Sequence, residues 1–304
     1  MFSFSQGVKK EISLLEISAR HCVIAETCAI LNHCGVFEQG ILTINTENVM
    51  VATRACKILK TLTQEKVDLS VKKGTKSTNH YSVRLENETS SENILKSAGL
   101  LQNGVKALAI DPLVVKGECC KRAYVRDAFL CSGSVSNPEK GYHFEIMHWD
   151  SDYLTKLSKI VNSFGLLSKV TGRKSHFILY IKEGEKIVDM LNIMGAHSSL
   201  MEMENSRILK DLRNNVTRAV NCETANIEKI VVAASKQLDD IYFLADKIGL
   251  SALPEGLEEV ARLRMNYPDA SLKEIGEKLT VPLGKSGVNH RLRKISNIAE
   301  FYRQ

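Results

Sequence analysis

Three things this chain lacks narrow its possibilities before any motif is read. No apolar run in the 304 residues approaches a membrane span, and the start, MFSFSQGVKKEIS, holds no apolar core of the signal-peptide kind. A cytoplasmic location without membrane contact is the expectation. No CxxC pair occurs among the eight cysteines, and Cys119 and Cys120 are adjacent, a spacing that strains a disulfide between them. Cys22, Cys28, Cys56 and Cys131 fall on apolar faces of predicted helices. Reduced, buried thiols are therefore expected, with no metal site and no cofactor. His143 and His148, at a predicted strand and its end, are not placed together by their spacing. Strong charge of one sign is also missing: 41 Lys and Arg against 35 Asp and Glu give +6, which suits a nucleic-acid binder without demanding one. Hydrophobic content of 44% and charged content of 25% describe an ordinary globular chain, long enough for two or three domains.

What is present is an internal repeat. Thr27–Gly35 reads TCAILNHCG, and 98 residues later Val125–Gly133 reads VRDAFLCSG. Both are apolar helical segments that end in Gly and run into strand-like sequence. After the first, Ile41–Asn45 predicts a strand, Asn48–Leu62 a helix, Val67–Lys72 and His80–Leu85 strands, and Ser91–Ser97 a short helix. After the second, Tyr142–Met147 predicts a strand, Ser151–Phe164 a helix, Ser168–Thr171 and His176–Ile181 strands, and Glu183–Met194 a helix. The strands alternate, with His143 and Glu145 against Phe144 and Ile146. The helices keep a 3.6-residue period, as in Leu154, Leu157, Ile160, Val161 and Phe164. Ser3–Leu15 predicts an amphipathic helix ahead of the repeats, with Ser5 as its cap and Val8, Ile12 and Leu15 on one face. Gly99–Val115, apolar and poor in charge, reads as the connector.

This layout resembles the LAGLIDADG homing endonuclease fold. In that fold two such helices pair at a pseudo-twofold axis and each repeat adds a curved sheet that saddles a DNA duplex. Ala29, Cys28, Ala128 and Cys131 are small enough for close helix packing. The resemblance also implies an acidic residue before each final Gly, where two carboxylates hold the divalent metals that activate water. Here those positions are Cys34 and Ser132, poor ligands for hard cations, so a non-cleaving domain is expected. Glu38 and Glu139 are the nearby acids that could substitute. Lys57, Lys60, Lys66, Lys72, Lys73 and Lys76 make the later half of the first repeat basic; the polar turn Lys73–Asn79 and its equivalent with Lys169, Arg173 and Lys174 would reach phosphates from a saddle or be solvated hairpin tips.

Beyond Ser206 a long helical pattern carries Asn214, Asn215, Arg218, Asn221, Cys222, Glu223, Ala225, Asn226 and Lys229. Arg218, Asn221, Ala225 and Lys229 share one face. Asn is a poor helix former. Either this series contacts DNA, with Arg218, Asn221 and Asn226 as candidates, or the helix breaks near Asn221–Thr224. Ile227–Ile248 is a helix ended by Gly249, and Glu255–Asn266 follows Pro254. Ser271–Leu279 then carries a capping box, Ser271 with Glu274, and an apolar stripe of Leu272, Ile275 and Leu279. Gly276 offers room for a close helix crossing. The turn TVPLGKSG follows with Val281 inward. Ser286 is the expected cap of the last helix, Gly287–Tyr302, whose inward residues are Val288, Leu292 and Ile295. This is a helix-turn-helix pattern, similar to the DNA-reading module of bacterial sigma factors. Lys285, Ser286, Asn289, His290, Arg291, Arg293 and Lys294 are its expected outward, DNA-facing residues, joined by Ser271 and Lys273.

The whole order resembles the WhiA family of bacterial regulators, on KRAYVRDAFLCSG (Lys121–Gly133), RAVNCETAN (Arg218–Asn226) and Ser271–Lys294. Thr217 departs from it, an Asn being expected there. The resemblance implies an α+β chain: a degenerate two-repeat LAGLIDADG-like domain at 1–206 (repeats about 18–99 and 119–206), a helical linker at 207–226, and an all-α helix-turn-helix domain at 227–304. It further implies a non-enzymatic, double-stranded-DNA-binding regulator of transcription, nucleoid-associated. Such regulators act in sporulation in some bacteria and in cell division and chromosome segregation in others, and the family points to a Gram-positive source. The rival readings are a scaffold of the division machinery, with a protein partner on the front domain, and a metal-dependent endonuclease. The operator, the direction of regulation and the oligomeric state are not written in the sequence.

Overall fold

In the computed structural model, residues 3–16, 19–74 and 78–303 are described, so Ser18 and Lys76 lie outside the described residues. The chain divides into two compact units, Met1–Asp211 and Leu212–Gln304. In the first, α1 (Phe4–Ser13) precedes one repeat of α2 (Arg20–Cys34), β1 (Gly35–Glu38), β2 (Ile41–Thr46), α3 (Val49–Thr63), β3 (Asp68–Lys73), β4 (Asn79–Leu85) and α4 (Glu88–Ser97). A hairpin of β5 (Leu101–Gln102) and β6 (Val105–Lys106) intervenes. The second repeat is α5 (Glu118–Ser132), β7 (Gly133–Val135), β8 (Phe144–His148), α6 (Ser151–Asn162), β9 (Lys169–Arg173), β10 (His176–Ile181) and α7 (Gly184–Met194). Each repeat builds a four-stranded antiparallel sheet with one strand order, β1-β2-β4-β3 and β7-β8-β10-β9.

The strand alternation explains which side of each sheet is covered. Leu42 pairs with Leu85 and Ile44 with Val83. Phe144 pairs with Ile181 and Ile146 with Leu179. All eight are buried, and their neighbours in sequence point the other way. The helices lie on the apolar side. α2 packs along α5, and neither has a continuous polar face: α2 buries Val23, Ala25, Cys28, Ala29, Ile30 and Leu31, and α5 buries Ala123, Val125, Ala128, Phe129 and Leu130. Burying each large side chain contributes about 1.5–3 kcal/mol. Both helices end where the chain folds back over its own last turn into a strand. A Cβ on Gly133 would lie 2.1 Å from Phe129 Cδ2, and one on Gly35 2.7 Å from Leu31 Cδ2. Phe129 in turn stacks on Phe144 at 4.9 Å.

Three details differ from the sequence expectation. Ser3, not Ser5, caps α1: its hydroxyl accepts from Gln6 N at 3.2 Å, and Gln6 Oε1 accepts from Ser3 N at 3.0 Å. Ser5 instead accepts from Val135 N at 3.2 Å. The connector holds the β5–β6 hairpin, turned by Asn103 and Gly104 with φ of 50° and 77°, a conformation that Asn-Gly adopts readily. Finally, α8 (His197–Lys247) is one unbroken helix, so Asn221–Thr224 is not a break. No Gly or Pro interrupts it. Its first turns belong to the first unit, where Glu11 accepts from the backbone N–H groups of Ser198 and Ser199 at 2.6 and 3.0 Å. Among the described residues, no helix is long and apolar enough to cross a membrane.

Among the described residues, Glu26, Arg54 and Asp127 are buried in the first unit's helical layer, with Arg126 half-buried beside them. Glu26 on α2 accepts from Arg54 Nη2 at 2.7 Å and Arg126 Nη1 at 3.2 Å. Asp127, one residue beyond Arg126, is fully buried; Arg54 Nε approaches it only to 3.7 Å, and neither carboxylate oxygen has a hydrogen-bond partner among the described residues. Burial first, then the negative charge of Glu26, push Asp127 up to about 8. The folded chain thus keeps a proton that the unfolded chain gives up in the ordinary carboxylate range. The stabilisation is present at acidic pH and is lost as pH rises toward 8. Asp127→Asn, neutral at every pH, removes this loss. Urea unfolding of both proteins from pH 5 to 8 should show the variant gaining on the wild type by up to about 1.4 kcal/mol per pH unit. Parallel pH profiles would contradict the assignment.

Candidate nucleic-acid interface

The place where a cutting LAGLIDADG protein would hold metals is the C-terminal end of the helix pair. Here it carries a closed, neutral chain of hydrogen bonds. Asn32 Nδ2 donates to Ala109 O at 2.7 Å and to Tyr124 OH at 2.9 Å. Tyr124 OH lies 3.0 Å from Tyr153 OH, which lies 3.2 Å from His33 Nε2. His33 Nδ1 lies 3.1 Å from Ser132 Oγ, whose proton goes to Met147 O at 2.7 Å. With that proton committed, the direction of the chain follows: Tyr124 donates to Tyr153, Tyr153 to His33 Nε2, and His33 Nδ1–H to Ser132. Burial, then His148 and Lys9, lower His33 to about 3, so it stays neutral. Cys34 shares a hydrogen bond with Cys131 that holds Cys34 low and Cys131 high. The group offers no carboxylate. Glu38, ending β1, and Glu139, in the turn after β7, are exposed and take no part in it.

The sheets' outer sides are charge-balanced. By register, Arg84 stands between Thr43 and Asp68, and Lys72 opposite His80. Arg173 Nη1 donates to Glu145 Oε2 at 3.3 Å, and Lys66 pairs with Asp68 at 3.1 Å. Lys169 pairs in register with Tyr180, and Lys174 occupies the tip of the β9–β10 hairpin with φ of 55°. Lys57 and Lys60 sit on α3, away from the outer strands, so the basic residues of the first repeat are not gathered on one surface. His143 pairs with Glu145 at 3.0 Å, while His148 is buried and bonded to Asn32 O at 3.3 Å; the two histidines are indeed apart in role.

The second unit contains the end of α8, a 3-10 turn (Leu250–Ala252), α9 (Leu257–Asn266), α10 (Leu272–Glu277) and α11 (Lys285–Arg303). Ile241, Leu244, Val260, Ile275, Leu279, Val288, Leu292 and Ile295 form its core. The capping box is present: Ser271 Oγ accepts from Glu274 N at 3.3 Å, and Glu274 Oε2 from Ser271 N at 2.7 Å. The turn differs from expectation. Val281 is 70% exposed, and Leu283 packs on the core in its place. The small residue at Gly276 accommodates this turn, not a crossing helix: a Cβ there would lie 2.0 Å from Leu283 O, and Leu283 N donates to Gly276 O at 3.1 Å. Ser286 lies inside the first turn of α11, which starts at Lys285, and is not its cap.

Polar ties hold the module. Glu259 accepts from Thr280 N and Oγ1 at 2.6 and 2.8 Å, and Arg303 Nη1 donates to Asp240 at 2.6 Å. Arg291 belongs with these ties. It is half-buried and donates to Gly256 O at 3.1 Å, so it does not project outward as the helix pattern suggested. Lys285, Ser286, His290, Arg293 and Lys294 are exposed and Asn289 half-exposed; at 100° per residue Ser286, Asn289, His290, Arg293 and Lys294 share one side of α11. Ser271 and Lys273 are exposed at the start of α10, Lys273 loosely paired with Glu277 at 3.8 Å. On α8, Arg218 and Asn221 are exposed on one side with Lys229. Asn226 is turned about 80° from Arg218 and contacts Cys222 Sγ at 3.9 Å.

Two family models match parts of this chain. A family model of the WhiA C-terminal HTH domain matches residues 216–299, and one of the WhiA LAGLIDADG-like domain matches residues 121–213. "Probable cell division protein WhiA" of Lachnoclostridium phytofermentans is 46% identical over 315 residues, covering 99% of this chain and 100% of the relative. The chain belongs to the WhiA family. A second relative carrying the same WhiA name, from Clostridium acetobutylicum, is 45% identical over 313 residues and 99% of each chain. The crystal structure of full-length DUF199/WhiA from Thermatoga maritima shares the fold, with a TM-score of 0.63 at 24% identity over 98% of both chains. That of the N-terminal LAGLIDADG domain of DUF199/WhiA scores 0.51 at 20% identity, over 64% of this chain and 94% of that one.

Within this WhiA-family helix-turn-helix, Gly276 is the tightest backbone contact. Gly276→Ala should destabilise the second unit by about 1–3 kcal/mol through overpacking, whereas Lys273→Ala, on the same helix, should change little. Hydrogen exchange of the α10 and α11 amides reads this directly. Unchanged protection in Gly276→Ala would refute the tight turn.

Proposed function

We propose that this chain is a non-enzymatic protein that binds double-stranded DNA through α11. Its role is in transcriptional control of cell division and chromosome segregation, or of sporulation, in the cytoplasm at the nucleoid. The observation that carries the reading is the exposed side of α11, where Arg293, Lys294 and His290 make no ion pair among the described residues, on a helix braced from behind by Arg291 and Arg303. Cationic and amide side chains on a rigid helix suit phosphates and the major-groove edges of bases. Ser271 keeps its hydroxyl proton for a phosphate while its oxygen caps α10. Ser286 and Asn289 extend the same side of α11, exposed Lys273 and Lys285 add charge near the helix starts, and Arg218, Asn221 and Asn226 on α8 add contacts to the backbone. The relatives' name, cell division protein, supports the cellular setting.

The first unit is read as non-cleaving because thiol, hydroxyl and neutral imidazole stand at the helix ends where hard cations need carboxylates. Its balanced outer charges, with Val36, Met147 and Trp149 exposed, favour a protein partner there over a duplex. A pull-down that depends on this unit and survives nuclease treatment would support that part. Supercoiled plasmid incubated with magnesium or manganese should stay intact; specific nicking lost on Glu38→Gln or Glu139→Gln would reverse the non-enzymatic reading.

The DNA-binding claim is tested by gel shift. Arg293→Ala with Lys294→Ala should weaken duplex binding by about tenfold to a hundredfold, ~1.4–2.8 kcal/mol, and flatten its salt dependence. Arg291→Ala should act mainly on stability. Undiminished affinity in the double variant would count against α11 as the reading helix.

A further inference from the structure

The opposite, N-terminal end of the helix pair carries a second set of duplicated side chains. His21 and Cys22 lie in the first turn of α2, and Cys119 and Cys120 in the first turn of α5. His21 and Cys119 are 98 residues apart, as are Cys22 and Cys120 and the two helix-ending glycines, Gly35 and Gly133. Helix pairing therefore brings the two dipeptides face to face. His21 Nδ1 lies 3.1 Å from Cys120 Sγ, 3.3 Å from Cys22 Sγ and 3.9 Å from Cys119 Sγ. All four ligand atoms fall within 4.8 Å of one another. We infer that His21, Cys22, Cys119 and Cys120 form a mononuclear zinc site that clamps the two repeats together.

The chemistry fits zinc. Bonds of about 2.3 Å to sulfur and 2.0–2.1 Å to nitrogen place tetrahedral ligand atoms roughly 3.4–3.8 Å apart, within the spacing found here. Three thiolates and an imidazole are a soft set that disfavours magnesium or calcium. Neither helix start has a side-chain cap, the cap residues being Ala19 and Gly117; Cys22 N donates to Ala19 O at 2.9 Å, and the positive ends of both helices favour thiolates. His21 and Cys119 are exposed, Cys22 half-buried and Cys120 buried, which gives an ion a path from solvent and a protected seat. On binding, the three thiols release their protons to solvent and His21 binds through neutral Nδ1. The inference is independent of the α11 reading, since it concerns other residues in the other unit.

Cobalt(II) titration of the reduced full-length chain tests it. The expected result is tetrahedral cobalt–thiolate absorption that saturates at one equivalent and is bleached by one equivalent of zinc. Elemental analysis of the zinc-loaded protein should then give one zinc per chain, and chelation should lower Tm. Cys22→Ser and Cys119→Ser should each lose the spectrum, while Cys56→Ser keeps it. Because the wild-type spectrum is read on the intact protein, a variant that fails to fold does not decide the matter. No thiolate absorption at stoichiometric cobalt would overturn the proposal. So would a spectrum that survives in the Cys22 and Cys119 variants, or peptide mapping that finds Cys22 disulfide-bonded to Cys119 or Cys120 in chain prepared with zinc.

Discussion

The pairing of α2 with α5 is the constraint on which the first unit depends. The two helices are buried along most of their surfaces, so every polar group on them must find a partner inside the protein. In the middle Glu26 is met by Arg54 and Arg126, while both carboxylate oxygens of Asp127 stay without a hydrogen-bond partner among the described residues. Buried charges of this kind contribute little net stability, but they are costly to mispair and so help hold the helices in register. At the C-terminal end the demand is met by neutral groups alone, from Asn32 through Tyr124, Tyr153 and His33 to Ser132. An axis that could have gathered carboxylates is thereby filled with side chains that satisfy each other. At the N-terminal end the same symmetry gathers sulfur and imidazole. One pairing thus carries two different clusters, and neither contains a carboxylate among the described residues.

The second unit has a different logic. Its core is small, and the turn between α10 and α11 is held by backbone proximity at Gly276 and by polar ties at Glu259, Arg291 and Arg303. These ties use the cations that face inward and leave Arg293, Lys294 and His290 on the far side of the helix. Rigidity of the scaffold and exposure of these three side chains, the proposed DNA-facing residues, are two consequences of the same side-chain partition.

Much of this was legible from sequence because it is local. The glycine-ended helices, the order of strands in each repeat and the capping box at Ser271 are written within a few residues of where they act, and the WhiA resemblance followed from their order. Other features depend on distant groups. Arg291 looks outward by helical period, yet the carbonyl that captures it belongs to Gly256, in another loop. Val281 carries an apolar side chain, but turn geometry gives the core to Leu283. The asparagines of α8 suggested a break because each is a weak helix former, at a cost of less than about 1 kcal/mol apiece. With no Gly or Pro from His197 to Lys247, that cost is spread too thinly to interrupt the helix. The gathering of His21, Cys22, Cys119 and Cys120 was hidden for a related reason. No CxxC spacing announces it, and only an offset of 98 residues, already present in the repeat, contains the information.

We propose that the first unit supplies shape and the second supplies addressing. A genome-wide binding profile of the intact chain beside one lacking residues 227–304 tests it most directly. The account predicts discrete sites for the intact chain and their loss in the shortened one at equal abundance. The same sites occupied by both proteins would contradict it.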